Sequence, residues 1–185
     1  MFNERQVISD ILKGNHRGFE ILVKQYERLV FHVIGRLVSD KEAIEDVCQD
    51  VFIKVHQSLQ RFKFESKLST WIARIAYLTA INYIRKKKNE GPNDYDGNID
   101  NYHFTIESPE SILTRKDTLT YLNRLIEQLP LSYRTVLTLY HLDEFSCKEI
   151  EEITGIPEGT IKSHLFRARK LLKEKIQTHF KNEML

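Results

Sequence analysis

The sequence predicts an all-α protein made of two small helical domains joined by a flexible acidic linker. Apolar residues recur every three or four positions on both sides of the middle of the chain, the spacing of helices with one buried face. Residues 89–109 interrupt that pattern with Asn, Asp, Gly and Pro, a composition typical of flexible linkers. We therefore expect one domain at 1–88 and another at 110–185, with little but helix in either.

The first domain carries four predicted helices, of which three precede its one long loop. Residues 4–13 form a short amphipathic helix, and residues 19–37 form a longer one. Ser39 and Glu42 have the spacing of a capping box, in which each side chain accepts a backbone N–H of the first turn. We expect Ser39 to cap a third helix whose apolar stripe runs over residues 44–59.

The segment RFKFESKLSTW, which leads into the fourth helix, interleaves aromatic residues with cations. Its members are Phe62, Phe64 and Trp71 among Arg61, Lys63 and Lys67. Unstacked bases stack on aromatic rings with roughly 1–3 kcal/mol each, so this composition suits single-stranded nucleic acid. Burial of some of these rings in the core is an equally good explanation of the pattern. The fourth helix ends in the four cations of residues 85–88, which also suit the dipole of a helix C-terminus.

The third helix presents a group of acidic and amide side chains opposite its apolar stripe. These are Asp46, Gln49 and Asp50. Taken alone the signal is weak, because acidic helix faces are commonly just solvated.

The second domain has well-marked helix boundaries. Ser108, Pro109 and Glu110 supply an N-cap, a proline at the first helical position and an acid in the first turn. Pro130 ends that helix and begins another, and residues 146–149 form a second capping box. Gly155 suits a left-handed C-cap, and a longer helix follows from Pro157 to about residue 176. A short helix, a glycine turn and a longer helix predict a helix-turn-helix.

The longer helix of this motif has two contrasting faces. Ile161, Leu165, Ala168 and Leu172 share one side, while Ser163, Phe166, Arg167 and Lys170 share the opposite side. The second helix of such a motif lies in the major groove, where Arg167 can bond guanine and Phe166 can pack on a thymine methyl. The alternative is that Phe166 packs against its own protein and the cations are merely solvated.

Charge and composition exclude several other classes. Residues 1–88 carry a net charge of +6, residues 89–109 carry −5, and residues 160–175 hold six cations and one acid. The chain has no nucleotide-binding glycine loop, no nucleophile motif and no Cys/His spacing for a metal, so we expect no enzyme, cofactor or metal site. Cys48 and Cys147 are expected as free thiols. We expect neither a membrane span nor a secretory signal, and hence a cytoplasmic protein.

Three segments in this order resemble the bacterial sigma factors of the sigma-70 family, extracytoplasmic-function type. They are DVCQDVF at 46–52, STWIARIA at 69–76, and LPLSYRTVLTLYHLDEFSCKEIEEITGIPEGTIKSHLFRARKLL at 129–172. The resemblance covers roughly residues 15–88 and 110–176. It implies a subunit that binds core RNA polymerase, directs promoter recognition, DNA melting and transcription initiation, and is held by an anti-sigma factor.

The resemblance also implies residue roles on three surfaces. An acidic face would dock on the clamp helices of the large polymerase subunit: Asp46, Gln49 and Asp50. A loop face would melt and read the −10 element: Arg61, Phe62, Lys63, Phe64, Ser66, Trp71 and Arg74. A recognition face would read the −35 element as duplex: Thr160, Lys162, Ser163, Phe166, Arg167 and Lys170. The linker would thread the polymerase cleft.

Two positions depart from the family pattern, and one alternative function stays open. Leu78 stands where the family usually has Asn, which affects the reading of a flipped −10 base. Glu151 stands where the family usually has a small residue, in the packing of the two recognition helices. The alternative is a sigma-like decoy that binds an anti-sigma protein without reading DNA, although a decoy has no need for a basic recognition helix.

Overall fold

The computed structural model describes residues 3–38, 40–90 and 115–183, and every structural statement below concerns these residues. Helices form nearly all of them: α1 Glu4–Leu12, α2 His16–Leu37, α3 Lys41–Ser58, α4 Leu68–Glu90, α5 Arg115–Glu127, α6 Leu131–His141, α7 Cys147–Thr154 and α8 Glu158–Glu183. A single 3₁₀ turn, Leu59–Arg61, follows α3. No strand occurs in the described part of the chain, so the all-α prediction is confirmed.

Short polar side chains begin the helices of the first domain. The Asn3 and Asn15 side chains accept backbone N–H groups of the first turns of α1 and α2. The predicted cap of α3 is wrong by one residue, because Asp40, not Ser39, is its N-cap and accepts from the Glu42 backbone N–H at 3.2 Å. Asp and Ser are equally favoured at the N-cap position. Their intrinsic preferences therefore do not decide which of two neighbouring residues caps the helix. Ser39 itself lies outside the described residues.

The boundaries of the second domain follow the predicted signals where the structure describes them. Pro130 precedes α6, and Ser146 with Glu149 forms a complete capping box at α7. Gly155 ends α7 with φ of 76°, a left-handed conformation that glycine adopts without steric cost. The helix α8 continues past the expected end at residue 176. The linker at 89–109 and the predicted start at 108–110 fall largely or wholly outside the described residues.

The larger of two apolar clusters runs through both domains. In the first domain it is built from the inner faces of α2, α3 and α4, and fully buried side chains include Leu22, Val51 and Ile72. Residues of the second domain continue the same cluster, among them Ile150 and Ile161. A smaller second cluster packs α5 against α8. The two domains therefore lie against each other, with α7 on α4 and α6 on α2.

Candidate nucleic-acid interface

The helix-turn-helix is built from strong local signals. The Ser146 side chain accepts the Glu149 backbone N–H at 3.3 Å, and the Glu149 carboxylate accepts the Ser146 backbone N–H at 2.9 Å. At the other end, the Gly155 backbone N–H donates to the Glu151 carbonyl at 2.8 Å and closes α7. Backbone groups at both ends of α7 thus have hydrogen-bond partners, so α7 has defined ends and α8 begins directly after a defined turn.

The buried side of α8 is the predicted one. Its fully or nearly fully buried members are Ile161, Leu165, Ala168 and Leu172. On the opposite side, Phe166 is 68% exposed and is the most exposed large apolar side chain of the described residues. The explanation that Phe166 packs against its own protein is therefore wrong. The ring is thus available to another molecule, between the cations of the same helix face.

The cations of the recognition face differ in whether they form ion pairs. Lys162 pairs with Glu158 at 2.7 Å and Lys170 with Glu174 at 3.9 Å, both across one turn of α8. Arg167 is exposed and makes no ion pair or hydrogen bond with the residues that the structure describes. The N–H groups of its guanidinium are therefore available to donate to a base or a phosphate.

One of the two hydroxyl groups of this face makes a hydrogen bond within the helix. Ser163 donates from Oγ to the Thr160 carbonyl at 2.8 Å, and both residues are half-buried. A hydroxyl that donates within the helix keeps its oxygen lone pairs as acceptors.

One cation beside the recognition face was missed in the sequence. Arg169 stacks over the Tyr140 ring at 5.5 Å and donates to His141 Nε2 at 3.2 Å. Burial and the neighbouring Arg169 charge lower the pKa of His141, which keeps this imidazole an acceptor. The helical spacing puts Arg169 at the edge of the face, and only the fold brings α6 beside it.

The aromatic rings of the loop face divide between core and surface. Phe62 is 8% exposed and belongs to the core, whereas Phe64 is 39% exposed. Phe62 lies between the other two rings, 4.8 Å from Phe64 and 5.2 Å from Trp71 between centroids. Phe64 and the half-buried Trp71 are the rings that can meet a base, whereas the buried Phe62 can act only by supporting them.

Phe64 is held in a strained backbone conformation and covered by a cation from α1. Its φ of 59° is left-handed, which is rare for a bulky residue and typical of functional sites. The Arg5 guanidinium lies over its ring, 4.6 Å from the centroid. Beside the ring is a shallow apolar cleft of roughly 370 Å³, lined by residues of α1 such as Leu12 and by Lys13, which follows the helix. No local signal in the sequence shows which surface α1 faces.

The polar residues of the loop face differ in their exposure and in their partners. Arg61 and Lys63 are exposed and Ser66 is half-buried. Arg74 donates to the Glu152 backbone carbonyl of α7. Lys67, in the same loop, pairs with Glu149 at 2.9 Å. Burial disfavours the Glu149 carboxylate, but hydrogen bonds from Lys67 and Ser146 outweigh it and lower its pKa to about 2.

The acidic face lies open on α3. Asp46, Gln49 and Asp50 are all exposed and have no ion pair or hydrogen bond among the described residues. Ile53, one turn further along, is 53% exposed and continues the same face. This face therefore combines exposed carboxylates with one exposed apolar side chain.

The two departures from the family pattern take different positions. Leu78 is exposed on α4, away from the core. Glu151 is half-buried on α7, and α7 and α8 pack together with Ile150, Ile153 and Ile161 buried around it. The acid at 151 is thus accommodated in the motif.

Cys48 and Cys147 are free thiols. No group of three His, Cys, Asp or Glu side chains among the described residues is placed to hold a metal ion. None of the described helices combines the length and the apolar character that a bilayer crossing requires.

Comparison with known proteins agrees with this geometry. The family Sigma-70 region 2 matches residues 22–90, and Sigma-70, region 4 matches residues 119–172. The RNA polymerase sigma-H factor of Pseudomonas aeruginosa is 32% identical over 182 residues, covering 94% of each chain. The chain belongs to the sigma-70 family. The ECF RNA polymerase sigma-E factor of Escherichia coli K12 is also 32% identical, over 181 residues and 94% of each chain, which gives this sigma factor its extracytoplasmic-function type.

A solved structure supports the fold of the whole sigma factor. The sigma factor RpoE of Bartonella quintana, solved in complex with the anti-sigma factor NepR, is 25% identical with a TM-score of 0.68. The similarity covers 86% of this chain and 96% of that one. As a member of this family the sigma factor binds core RNA polymerase and directs it to promoters.

Proposed function

We propose that the three surfaces divide promoter recognition between them, in domains bounded at 1–88 and 110–185. The recognition face reads the −35 element as duplex, the loop face melts and reads the −10 element as single strand, and the acidic face docks on the polymerase clamp helices. The observation that carries the proposal is Phe166, exposed between cations on the second helix of a helix-turn-helix. The chain itself has no catalytic activity and works in the cytoplasm.

The side chains of each surface suit the chemical groups of its proposed target. Duplex DNA offers base edges and thymine methyls in the major groove, which Arg167 and Phe166 match. A melted strand offers unstacked bases, which the exposed Phe64 ring matches. The clamp helices would receive the carboxylates of Asp46 and Asp50 with the apolar Ile53 beside them.

The broad test is transcription with purified core polymerase on genomic fragments, followed by mapping of start sites. We expect starts that share two sequence elements upstream. A decoy would give no start sites above those of core polymerase alone, and this outcome would contradict the proposal. The basic recognition face, with Arg167 unpaired among the described residues, favours a DNA reader over a decoy.

The docking role of the acidic face has its own test. Reversing Asp46 and Asp50 to Lys should weaken binding to core polymerase and leave the fold intact, because both side chains are exposed and unpaired among the described residues. A fluorescence titration of core polymerase with labelled sigma factor measures this affinity.

The matched control makes the same charge change in the other domain, at Glu127 and Glu144, which are also exposed. Equal loss of affinity in both double variants would mean that net charge, and not the acidic face, governs binding. Unchanged affinity for Asp46→Lys with Asp50→Lys would remove this face from the docking surface.

We also propose an anti-sigma partner that covers both domains. The support is the relative from Bartonella quintana, whose structure contains an anti-sigma factor and matches this chain across both domains. Products of genes adjacent to the sigma gene should be co-expressed with it and tested for repression of transcription in the purified system. Full activity in the presence of every such product would contradict this partner.

A further inference from the structure

We propose that the cleft between α1 and the Phe64 ring binds one unpaired nucleotide of the promoter strand, with its base on the apolar walls and its phosphates at Arg5 and Lys13. The inference rests on the proposed role of the loop face and adds α1 to that surface. The helix α1 precedes residues 22–90, which the family Sigma-70 region 2 matches. One wall of the proposed site therefore comes from outside the segment that this family matches.

The cleft combines apolar walls with cations. Leu12 and Phe64, which line it, are 47% and 39% exposed. A volume of roughly 370 Å³ is within the range of sites that hold small ligands. A nucleotide has the complementary chemistry, because a flat base lies between two negative phosphates. The described lining residues include two cations and no acid: Arg5, Ile8, Ser9, Leu12, Lys13 and Phe64.

One side of α1 supplies its share of the cleft. Arg5, Ser9 and Leu12 are spaced by four and three positions, so they follow one another along one side of the helix. The buried side chains of Ile8 and Ile11 attach the neighbouring side of α1 to the core. The order of cation, hydroxyl and leucine along the cleft is therefore fixed by the helix and by its packing.

Contacts with α2 hold both ends of α1 in place. The Tyr26 hydroxyl donates to the Glu4 carboxylate at 2.9 Å, and burial together with this carboxylate raises the pKa of Tyr26. Near the other end, a Cβ on residue 18 would lie 3.1 Å from Ile11 Cγ1, so Gly18 permits a close approach of the two helices. The acid that precedes Arg5 in the sequence is thus engaged with α2, while Arg5 lies over the Phe64 ring.

Arg5 can cover the ring and bind a phosphate at the same time. Its guanidinium lies 4.6 Å from the Phe64 centroid, and the buried Phe62 lies 4.8 Å from Phe64 between centroids. Arg5 is exposed and makes no hydrogen bond or ion pair with the residues that the structure describes. A guanidinium whose plane contacts a ring keeps its N–H groups free to donate to a phosphate oxygen.

The cleft is continuous with the loop face. Phe64 belongs to both, and Arg61 and Lys63 of the same loop are exposed. An acidic segment of a partner protein would match the cations of the cleft equally well. Because the shared ring is one that we assign to unstacked bases, single-stranded DNA is the occupant that we propose.

Binding of non-template strands to the purified holoenzyme, core polymerase with the sigma factor, tests the cleft. Each nucleotide of a strand from a mapped promoter is replaced in turn by an abasic site. At one position, base removal should weaken wild-type binding about five-fold or more, the effect of one stacked base. With Leu12→Glu, which puts a carboxylate beside Arg5 and Lys13, the same removal should weaken binding less than about two-fold, because the two changes are coupled.

The matched control is Leu142→Glu, the same change at a leucine of the second domain that is 48% exposed. It should leave the effect of every abasic site as in the wild type. The affinity of both variants for core polymerase is measured in parallel and should equal that of the wild type. A loss of this affinity for Leu12→Glu, with the abasic pattern unchanged, would assign the cleft to the polymerase and overturn the inference.

Arg5→Ala tests the phosphate contact. The slope of strand affinity against salt concentration should fall by about 0.7 on a logarithmic scale, the value for one phosphate of a single strand. Arg5→Lys keeps the charge and should restore the slope. Arg124→Ala removes an exposed arginine of the second domain and should leave the slope unchanged.

The inference is overturned if Leu12→Glu and Leu142→Glu give the same abasic pattern, or if Arg5→Ala leaves the salt slope unchanged. In either case the proposed function would stand, provided that the wild-type holoenzyme binds the strand and starts transcription at the mapped sites. A holoenzyme that binds no strand and starts no transcription contradicts the proposed function, and the inference with it.

Discussion

The recognition face and the loop face have similar compositions but differ in how many of their side chains the protein itself holds. Both combine aromatic residues with cations, yet the ring of Phe166 stands in water on a regular helix, while Phe62 is in the core and Phe64 lies on a strained loop. Arg167 has no partner among the described residues, and Arg74 is held by α7. Aromatic and basic composition thus indicates a nucleic-acid surface without saying whether that surface is accessible.

The difference between the two faces fits the targets that we propose for them. Duplex DNA presents a rigid groove that a straight helix fits as it is, so a preformed exposed face loses little freedom on binding. A melted strand is flexible and must be held base by base, which needs rings supported by a core and a loop of defined shape. In this chain α7 contacts the loop face, through Lys67 with Glu149 and through Arg74 with the Glu152 carbonyl.

The largest effect that we expect is on the free energy of unfolding, and it tests whether the two faces differ as described. Leu165→Ala should cost about 2–5 kcal/mol of unfolding free energy because Leu165 is buried, whereas Phe166→Ala should change it by less than about 0.5 kcal/mol. Thermal or urea unfolding of the two neighbouring variants measures both. A large loss of stability for Phe166→Ala would show that the ring packs on its own protein and that the recognition face is not preformed.

The next largest effect tests the role of Phe64 in the strained loop. Phe64→Ala and Phe64→Gly both remove a stacking ring and should weaken single-strand binding by roughly 1–3 kcal/mol. Only Gly also relieves the left-handed backbone, so Phe64→Gly should be more stable than Phe64→Ala by about 1 kcal/mol. Binding titrations and urea unfolding of the pair give the two quantities. Equal stability would mean that the loop does not hold Phe64 at positive φ in solution.

The smallest effects separate base reading from phosphate contact on the recognition face. Arg167→Ala should cost on the order of 1–3 kcal/mol on a −35 duplex if its contact is bidentate to guanine. Lys162→Ala should lower the salt slope by at most about one unit and weaken all sequences alike.

Salt titrations of −35 and scrambled duplexes distinguish the two roles. Phe166→Ala should reduce specific affinity with the salt slope unchanged, because the ring carries no charge. Glu158→Ala, which frees Lys162 from its pair, is the control and should steepen the slope. If Arg167→Ala weakened both duplexes equally, Arg167 would be a phosphate contact and not a base reader.

Much of the fold could be read from the sequence because its signals are local. The capping box at 146–149, the break at Pro130 and the left-handed Gly155 each depend on residues within one turn of each other. The buried and exposed sides of α8 follow from its 3.6-residue period alone. The cap of α3 shows the limit of such signals, because Ser39 and Asp40 are adjacent and both suit the N-cap position.

By itself the sequence determined the helices, the helix-turn-helix and the candidate surfaces, since period, caps and motif order are properties of short segments. Only the tertiary structure decided which aromatic of the loop face is core, that Arg5 of α1 covers Phe64, and that α7 lies on α4. The contact of Lys67 with Glu149 joins residues 82 positions apart in the chain. Such pairings depend on how two domains pack, and a pattern that repeats every few residues carries no information about a neighbour that far away.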